Sequence, residues 1–227
     1  MKMIEKAYIA ILAGVILMGC GNKENDDEFQ ARDVSVEEVR EVELSKAEEA
    51  RIEAAVRNEL GSDAGMPFEG ELTDEVLTKL DYLDLSGEGL TDLSPLSKFK
   101  GLKELDLNLN LFLEDLKPLS DLKQLRRLSV RAGKISDIKP LSALTNMEVL
   151  DLSTNQIEDL APLKGLKKLE VLHINGSKLS RLDPLHGLTN LKYIDLKQHL
   201  GKIIITKAEI EKLQKALPQC EIRHNAN

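Results

Sequence analysis

The sequence predicts an α/β solenoid, in which short parallel strands alternate with tight helical turns and a helical cap closes each end. An apolar phrase of the form Leu-x-x-Leu-x-Leu, with Met, Val or Ile at a few positions, occurs six times between Leu80 and Leu196 at steps of 22 or 23 residues. Five of the seven prolines fall at one position of this repeat. A period of this length is typical of solenoids, whose units bury their apolar edges only by stacking on neighbours.

Each repeat is predicted to begin with a short strand, because apolar residues at its fourth and sixth positions alternate with polar ones. With neighbouring strands about 4.8 Å apart, six strands form a face about 24 Å across, which suits a folded partner or a peptide better than a buried metabolite. The fourth-position residues are Leu83, Leu105, Leu128, Leu150, Leu172 and Ile194.

The second half of each repeat is predicted to be a 3-10 or helical turn on the back of the coil. Proline lacks an N–H group and is tolerated at the start of such a turn, and an aspartate three residues before it can cap the turn. These prolines are Pro95, Pro118, Pro140, Pro162 and Pro184, and the aspartates are Asp92, Asp115, Asp137 and Asp159.

The segment Leu150-Asp-Leu-Ser-Thr-Asn155-Gln-Ile157-Glu-Asp-Leu160-Ala-Pro162-Leu163 resembles the 22-residue leucine-rich repeat of internalin-like bacterial proteins. The resemblance implies a horseshoe of six repeats over residues 80–200. Asparagine is the family's usual ninth residue, and its side chain bonds the backbone of the turn. It is kept only at Asn110 and Asn155, so we expect this hydrogen bonding to be less regular in the other repeats.

Residues 1–19 have the pattern of a targeting signal, in which Lys2 and Lys6 precede an apolar stretch over 7–18. This stretch is too short to span a bilayer, which requires about 20 residues. The ending Leu17-Met18-Gly19-Cys20 resembles the lipobox of bacterial lipoproteins, which implies lipidation of Cys20 and attachment to a membrane surface. We therefore expect an envelope lipoprotein, on the outer membrane if the host has one. The alternatives are an uncleaved N-terminal anchor and a cytosolic scaffold.

Residues 20–44 are predicted to be an acidic tether that holds the repeats off the membrane. Residues 34–44 mix strand and helical spacing, so their secondary structure stays open. The acidic excess is local, since residues 23–59 contain 6 basic and 13 acidic residues, against 23 and 25 in residues 60–227. This balance argues against nucleic acid as a partner, because nucleic acid requires a basic stripe in the body of the protein.

The N-terminal cap is predicted to span residues 45–79. Ser45-x-x-Glu48 has the spacing of a capping box, and Ile52 and Val56 lie on one face of the helix that would follow. A shorter helix is expected to begin at Thr73. Together these helices should cover the apolar end of the first repeat.

The C-terminal cap and tail are predicted over residues 201–227. Thr206-x-x-Glu209 should begin a helix that Pro218 stops, and residues 220–222 should add a last strand. If Cys20 carries lipid, Cys220 has no partner within the chain. We expect Cys220 to be buried in the cap of a monomer, the alternative being a bond between two chains.

The sequence contains no pattern typical of an enzyme or a cofactor site. The four histidines lack the spacing of a zinc site, and phosphate-loop, Gly-x-Ser-x-Gly and His-Glu-x-x-His motifs are all missing. We predict no catalysis, no cofactor and no metal. Outward aspartates at the fifth position leave a calcium site as one alternative; they are Asp84, Asp106, Asp151 and Asp195. An acidic catalytic centre among Asp84, Asp106 and Asp151 is the other alternative.

Partner recognition is expected at the outward strand positions and at a one-residue insertion in the second repeat. Tyrosine and arginine favour protein interfaces. Leu109, Leu111 and Phe112 cannot all enter a core that their neighbours already fill, so some should be exposed. The alternative is that Phe112 folds back beneath its loop. The candidate partner-binding residues are Tyr82, Leu109, Phe112, Arg127, Arg131, Val149, Val171 and Tyr193.

These observations together predict a lipid-anchored repeat protein that binds a protein or peptide on its concave sheet. Aromatic residues make up 3% of the chain and tryptophan is missing, which argues against carbohydrate stacking. The alternative is a structural or adhesive envelope protein without a dedicated ligand.

Overall fold

The structure of the protein, a computed structural model, describes residues 36–62, 65–197 and 205–226. The predicted signal peptide, Cys20 and the tether as far as residue 35 lie outside these ranges. The described residues from 39 onward belong to one compact unit. The contacts described below all lie within it.

Seven parallel strands form one open sheet, in which each strand pairs with the next along the chain. The central residue of β1 to β6 is the predicted fourth-position residue, and each is buried. The sheet confirms the predicted solenoid of the horseshoe type. The strands are β1 (Tyr82–Asp84), β2 (Glu104–Asp106), β3 (Arg127–Ser129), β4 (Val149–Asp151), β5 (Val171–His173), β6 (Tyr193–Asp195) and β7 (Glu221–Arg223).

A 3-10 turn follows each of the first five strands on the opposite side of the coil, and proline is its second residue. The predicted aspartate caps lie one residue too early, because the N-cap of the first four turns is a leucine or isoleucine without a side-chain cap hydrogen bond. The Oδ1 atom of each aspartate instead accepts a hydrogen bond from the N–H group two residues later, the first of the turn, at 2.7 to 2.9 Å. The turns are η1 (Ser94–Lys98), η2 (Lys117–Asp121), η3 (Lys139–Ala143), η4 (Ala161–Gly165) and η5 (Asp183–Leu185).

Two buried asparagines join successive repeats. Asn110 Oδ1 accepts a hydrogen bond from Leu90 N–H at 2.8 Å, and Asn155 makes the equivalent bond two repeats later. The predicted irregularity appears at Ser177, whose hydroxyl is buried without a hydrogen-bond partner. The N–H group of Ile157, which corresponds to that of Leu90, finds no acceptor among the described residues.

The first cap helix, α1 (Val36–Leu60), begins nine residues before the predicted start. The predicted capping box is therefore wrong, because Ser45 lies inside the helix, where backbone N–H groups are already bonded within the helix. Glu48 is instead 4% exposed and accepts hydrogen bonds from Thr91 and Asp92 in the first repeat. Part of the predicted tether is also helical.

The other local cap predictions are confirmed. Helix α2 (Asp74–Leu77) begins after Thr73, whose hydroxyl accepts from Val76 N–H. Helix α3 (Lys207–Ala216) begins after Thr206, whose hydroxyl accepts from Glu209 N–H at 3.3 Å.

The end of the chain adds the last strand to the sheet, as predicted, since β7 pairs with β6. Cys220, just before β7, is free and 4% exposed. Burial, and to a lesser extent the charge of Glu221, raises the pKa of its thiol to about 11. Within the described chain Cys220 is therefore the buried thiol that we expected.

Candidate protein-interaction surface

The outward face of the sheet presents two columns of side chains in register. Because side chains alternate along a strand, the third and fifth positions of each repeat point away from the buried leucines. The strand pairings place Tyr82 beside Glu104, and Asp84 beside Asp106. The third column contains Tyr82, Glu104, Arg127, Val149, Val171 and Tyr193, and the fifth contains Asp84, Asp106, Ser129, Asp151, His173 and Asp195.

The third column is mixed in polarity along its length. Tyr82 is 39% exposed at one end, and burial followed by the charge of Asp84 raises the pKa of its hydroxyl. The guanidinium of Arg127 lies 3.5 Å from the carboxylate of Glu104. Val149 and Val171 are the next two residues of the column. Both are half-buried, and they form its apolar centre. A shallow depression in the face is lined by residues of both columns from β1 to β5.

Two further contacts fix the far end of this face. The Tyr193 hydroxyl accepts a hydrogen bond from the Arg223 guanidinium at 3.3 Å. The Tyr193 ring centroid lies 5.2 Å from that of His173. These contacts hold the Tyr193 ring in place while leaving it half-buried at the surface.

The fifth-position aspartates have a local structural role. Oδ1 of Asp84, Asp151 and Asp195 each accepts a hydrogen bond from the N–H group two residues later. Asp106 uses both carboxylate oxygens, which accept from the backbone and the side-chain amide of Asn108. Burial raises the pKa of Asp106, although the Asn108 hydrogen bonds oppose the shift. In the described part of the chain, no three metal-ligating side chains converge.

The insertion in the second repeat forms an exposed apolar loop beside this face. Leu109, Leu111 and Phe112 are 58%, 55% and 62% exposed, so all three point outward and Phe112 does not fold beneath the loop. The ammonium of Lys134 lies 4.8 Å from the centre of the Phe112 ring. Leu109 N–H donates to the carbonyl of Arg131 at 2.8 Å, which joins the loop to the next repeat.

Leu109 occupies a backbone position that favours glycine. Its φ of 61° lies in the left-handed region, which an L side chain enters at a cost of about 1–3 kcal/mol. The eighth position has this conformation in five repeats, and Gly87 and Gly176 occupy it in two of them. The fold therefore does not require leucine at position 109.

The structure brings the predicted recognition residues together in one region. Tyr82, Arg127, Val149, Val171 and Tyr193 lie in the third column, Arg131 follows β3, and Leu109 and Phe112 form the adjoining loop. That these residues bind a partner stays a prediction. Cys20 lies outside the described residues. Among the described residues, no helix is long and apolar enough to cross a membrane.

Asn108 is a residue of this surface that the sequence reasoning missed. Its side-chain oxygen accepts from the Ser129 hydroxyl and from Arg131 N–H, both at 2.7 Å, so it positions the start of the next loop. The seventh position contains a second such residue, Asn175, whose amide donates to Ser153. A comparison of seventh positions across the repeats would have revealed this polar column.

The comparisons with known proteins agree on the architecture. A family model described as leucine-rich repeats (2 copies) matches residues 123–165. An internalin (inlF) from Listeria monocytogenes is similar at a TM-score of 0.58 and 22% identity, over 79% of this chain and 59% of that one. Internalin C2 from the same organism is similar at a TM-score of 0.56 and 23% identity, over 76% of this chain and 93% of that one.

No curated protein matches the sequence. The identities to the two internalins are low, so the likeness shows the fold, a leucine-rich repeat solenoid of the kind that internalins have. This chain spans 59% of the length of the first of them.

Proposed function

We propose that this protein is a lipid-anchored envelope protein that recognises a protein or peptide through its concave sheet and the adjoining apolar loop, without catalysis. The leucine-rich repeat fold supports a role in protein interaction. The observation that carries the proposal is the loop: Leu109 keeps an exposed apolar side chain where the backbone favours glycine, beside exposed Phe112. Stability does not explain this choice, whereas a partner surface does.

The distribution of exposed apolar residues agrees with a site at this end of the sheet. Among the described residues, five large apolar side chains are exposed: Met66, Tyr82, Leu109, Leu111 and Phe112. Four of them lie in the first two repeats. Single exposed apolar residues are common on protein surfaces, but a contiguous group is typical of an interaction site.

The charge of the concave face indicates the kind of partner. The seven strands carry six carboxylates and two arginines. A partner segment that presents lysine or arginine next to apolar residues would complement this face, since complementary charge steers association and penalises wrong partners. We therefore propose a basic, partly apolar protein segment as the ligand of the sheet.

Photo-crosslinking in intact cells tests the binding site. A photoreactive residue at Val149 and another at Phe112 should each give the same dominant protein adduct, whereas one at Lys139 in η3, on the opposite side of the coil, should not. The substitution Leu109→Gly should weaken the adduct at Phe112 while leaving stability within about 1 kcal/mol of the parent, because it removes backbone strain. Adducts that are equally diverse at all three positions would favour the structural or adhesive alternative.

Membrane attachment through a lipidated Cys20 is tested separately. The N-terminal sequence motif supports lipidation, so metabolic labelling with palmitate should mark the protein. The label should disappear in Cys20→Ser. Retention of the label in that variant would contradict the assignment of Cys20.

A further inference from the structure

The segments that lead into the strands form a basic rim, which the overall acidity of the chain conceals. We define the rim as the seven residues before each strand: 75–81, 97–103, 120–126, 142–148, 164–170, 186–192 and 214–220. These segments contain eleven basic and five acidic residues, within a chain whose net charge is −8. The basic residues are Lys79, Lys98, Lys100, Lys103, Lys123, Arg126, Lys164, Lys167, Lys168, Lys192 and Lys215.

Ion pairs within the rim neutralise four of its five acidic residues. Each pair joins neighbouring repeats, with nitrogen–oxygen distances of 2.7 to 3.5 Å, and uses one lysine or arginine of the rim. Seven lysines remain that are exposed and have no carboxylate within ion-pair distance among the described residues. The pairs are Lys100–Asp121, Lys103–Asp81, Arg126–Glu148 and Lys192–Glu170.

Three of the seven remaining lysines, Lys123, Lys167 and Lys168, lie in the middle of the rim, where hydrogen bonds join neighbouring segments. Asn146 donates its amide to the carbonyl of Lys123 at 2.9 Å and accepts from the ammonium of Lys168 at 2.7 Å. Lys167 donates to the carbonyl of Gly187 in the next repeat. These bonds join four successive rim segments, two of which, 120–126 and 164–170, supply the three lysines.

The opposite edge of the coil has the reverse charge. In the described segments that leave β1 to β6, which are 85–93, 107–116, 130–138, 152–160, 174–182 and 196–197, seven residues are acidic and five are basic. The basic rim is therefore confined to one edge. The repeat geometry spreads it over seven strands, about 29 Å at about 4.8 Å per strand.

We infer that the rim is a docking surface for the anionic headgroups of a phospholipid bilayer. Lysine ammonium groups in a row complement lipid phosphates, and such basic groups attract an anionic bilayer over roughly a Debye length. Single-stranded nucleic acid fits less well, since it uses exposed aromatic rings for stacking, and Phe99, the one aromatic residue of the rim, is buried. The inference rests on the proposed membrane attachment for its location, although the headgroup chemistry does not depend on Cys20.

Vesicle binding by the full chain tests the inference. Every protein carries Cys20→Ser, so lipidation plays no part, and residues 1–19 contribute equally to all variants. A fluorophore is attached at Gln124→Cys on the rim or at Ser136→Cys on the opposite edge. Buried Cys220 stays unlabelled because its thiol pKa is about 11. Energy transfer to a headgroup-labelled lipid is measured on phosphatidylcholine vesicles with and without phosphatidylglycerol.

Energy transfer from position 124 should exceed that from position 136 on anionic vesicles, and the excess should fall with salt. Lys123→Glu, Lys167→Glu and Lys168→Glu together should weaken this anion-dependent transfer about tenfold or more. The matched control, Lys134→Glu, Lys178→Glu and Arg181→Glu, changes the net charge by the same amount on the opposite edge. It should change the transfer less than about twofold. Thermal unfolding of both variants should confirm that they are folded.

Three results would overturn the inference: equal energy transfer from both labels, equal loss in the rim and control variants, or rim-dependent binding of single-stranded DNA without vesicle binding. Because the variants cannot be lipidated, none of these results bears on the palmitate test. A failure of the rim inference can therefore be distinguished from a failure of the Cys20 assignment.

Discussion

Replacing Glu48 by alanine should detach the first cap helix from the first repeat. One carboxylate oxygen accepts from the backbone N–H and the hydroxyl of Thr91, both at 2.8 Å, and the other accepts from Asp92 N–H at 3.2 Å. Hydrogen bonds to a charged group contribute about 1.5–3 kcal/mol each. Thr91 is exposed, so water replaces part of this loss. We expect Glu48→Ala to lower the free energy of unfolding by about 2–4 kcal/mol.

Urea unfolding with matched variants provides the assay. Glu49→Ala, at an exposed position one residue later, should change the free energy of unfolding by less than about 0.5 kcal/mol. Glu48→Gln keeps one acceptor oxygen for Thr91 but turns an amide donor toward Asp92 N–H, so its effect should be intermediate. Hydrogen exchange in Glu48→Ala should accelerate first in residues 45–60, because the helix loses its attachment there.

The Ser45→Ala variant distinguishes the structure from the sequence-based capping box. If Ser45 began the helix, its removal would cost about 1 kcal/mol. Because Ser45 lies inside α1, we expect almost no change. A larger effect from Ser45→Ala than from Glu48→Ala, or equal effects from Glu48→Ala and Glu49→Ala, would refute the assignment of Glu48 to the first repeat.

Four other predictions concern the hydrogen bonds between successive repeats and the C-terminal cap. Asn155→Ala should lower the free energy of unfolding by about 2–3 kcal/mol, measured in urea, because it leaves buried backbone groups unpaired. Ser177→Asn should raise it by about 1 kcal/mol if the new amide oxygen accepts from the N–H of Ile157, which has no acceptor among the described residues. The thiol pKa of Cys220, about 11 instead of 9.0, should slow its alkylation at pH 8 about a hundredfold until urea unfolds the protein. Since the folded-state pKa is the higher one, the melting temperature should fall as pH rises from about 9 to about 11.

The repeated part of the fold was predictable because its signals are local and occur many times. Leucines at fixed spacing identify both the strands and the buried layer, and the aspartate before each turn bonds only to the second residue along the chain. Thr73 and Thr206 begin helices for similarly local reasons. Each of these predictions follows from neighbouring residues alone.

The features that were missed depend on residues far apart in the sequence. Glu48 pairs with Thr91, 43 residues away, and a nearby serine at capping-box spacing offers a competing local explanation. The basic rim was missed because its lysines are spread over several repeats and cancel against the acidic N-terminal region in any overall count. Counting charge by position within the repeat, rather than along the chain, would have revealed the rim.

The direction of the strands connects the two proposed surfaces. The rim precedes every strand, whereas the apolar loop with Leu109 and Phe112 follows β2, so the two lie at opposite edges of the sheet. With the rim docked on a bilayer, the strands would run away from the membrane. The apolar loop would then lie at the edge of the sheet farthest from the bilayer, where a protein partner can reach it. The acidic concave face would then lie roughly perpendicular to the bilayer. The negative charge of this face would be repelled by the anionic lipids. This orientation lets one domain bind lipid and a protein partner at the same time, because neither surface covers the other.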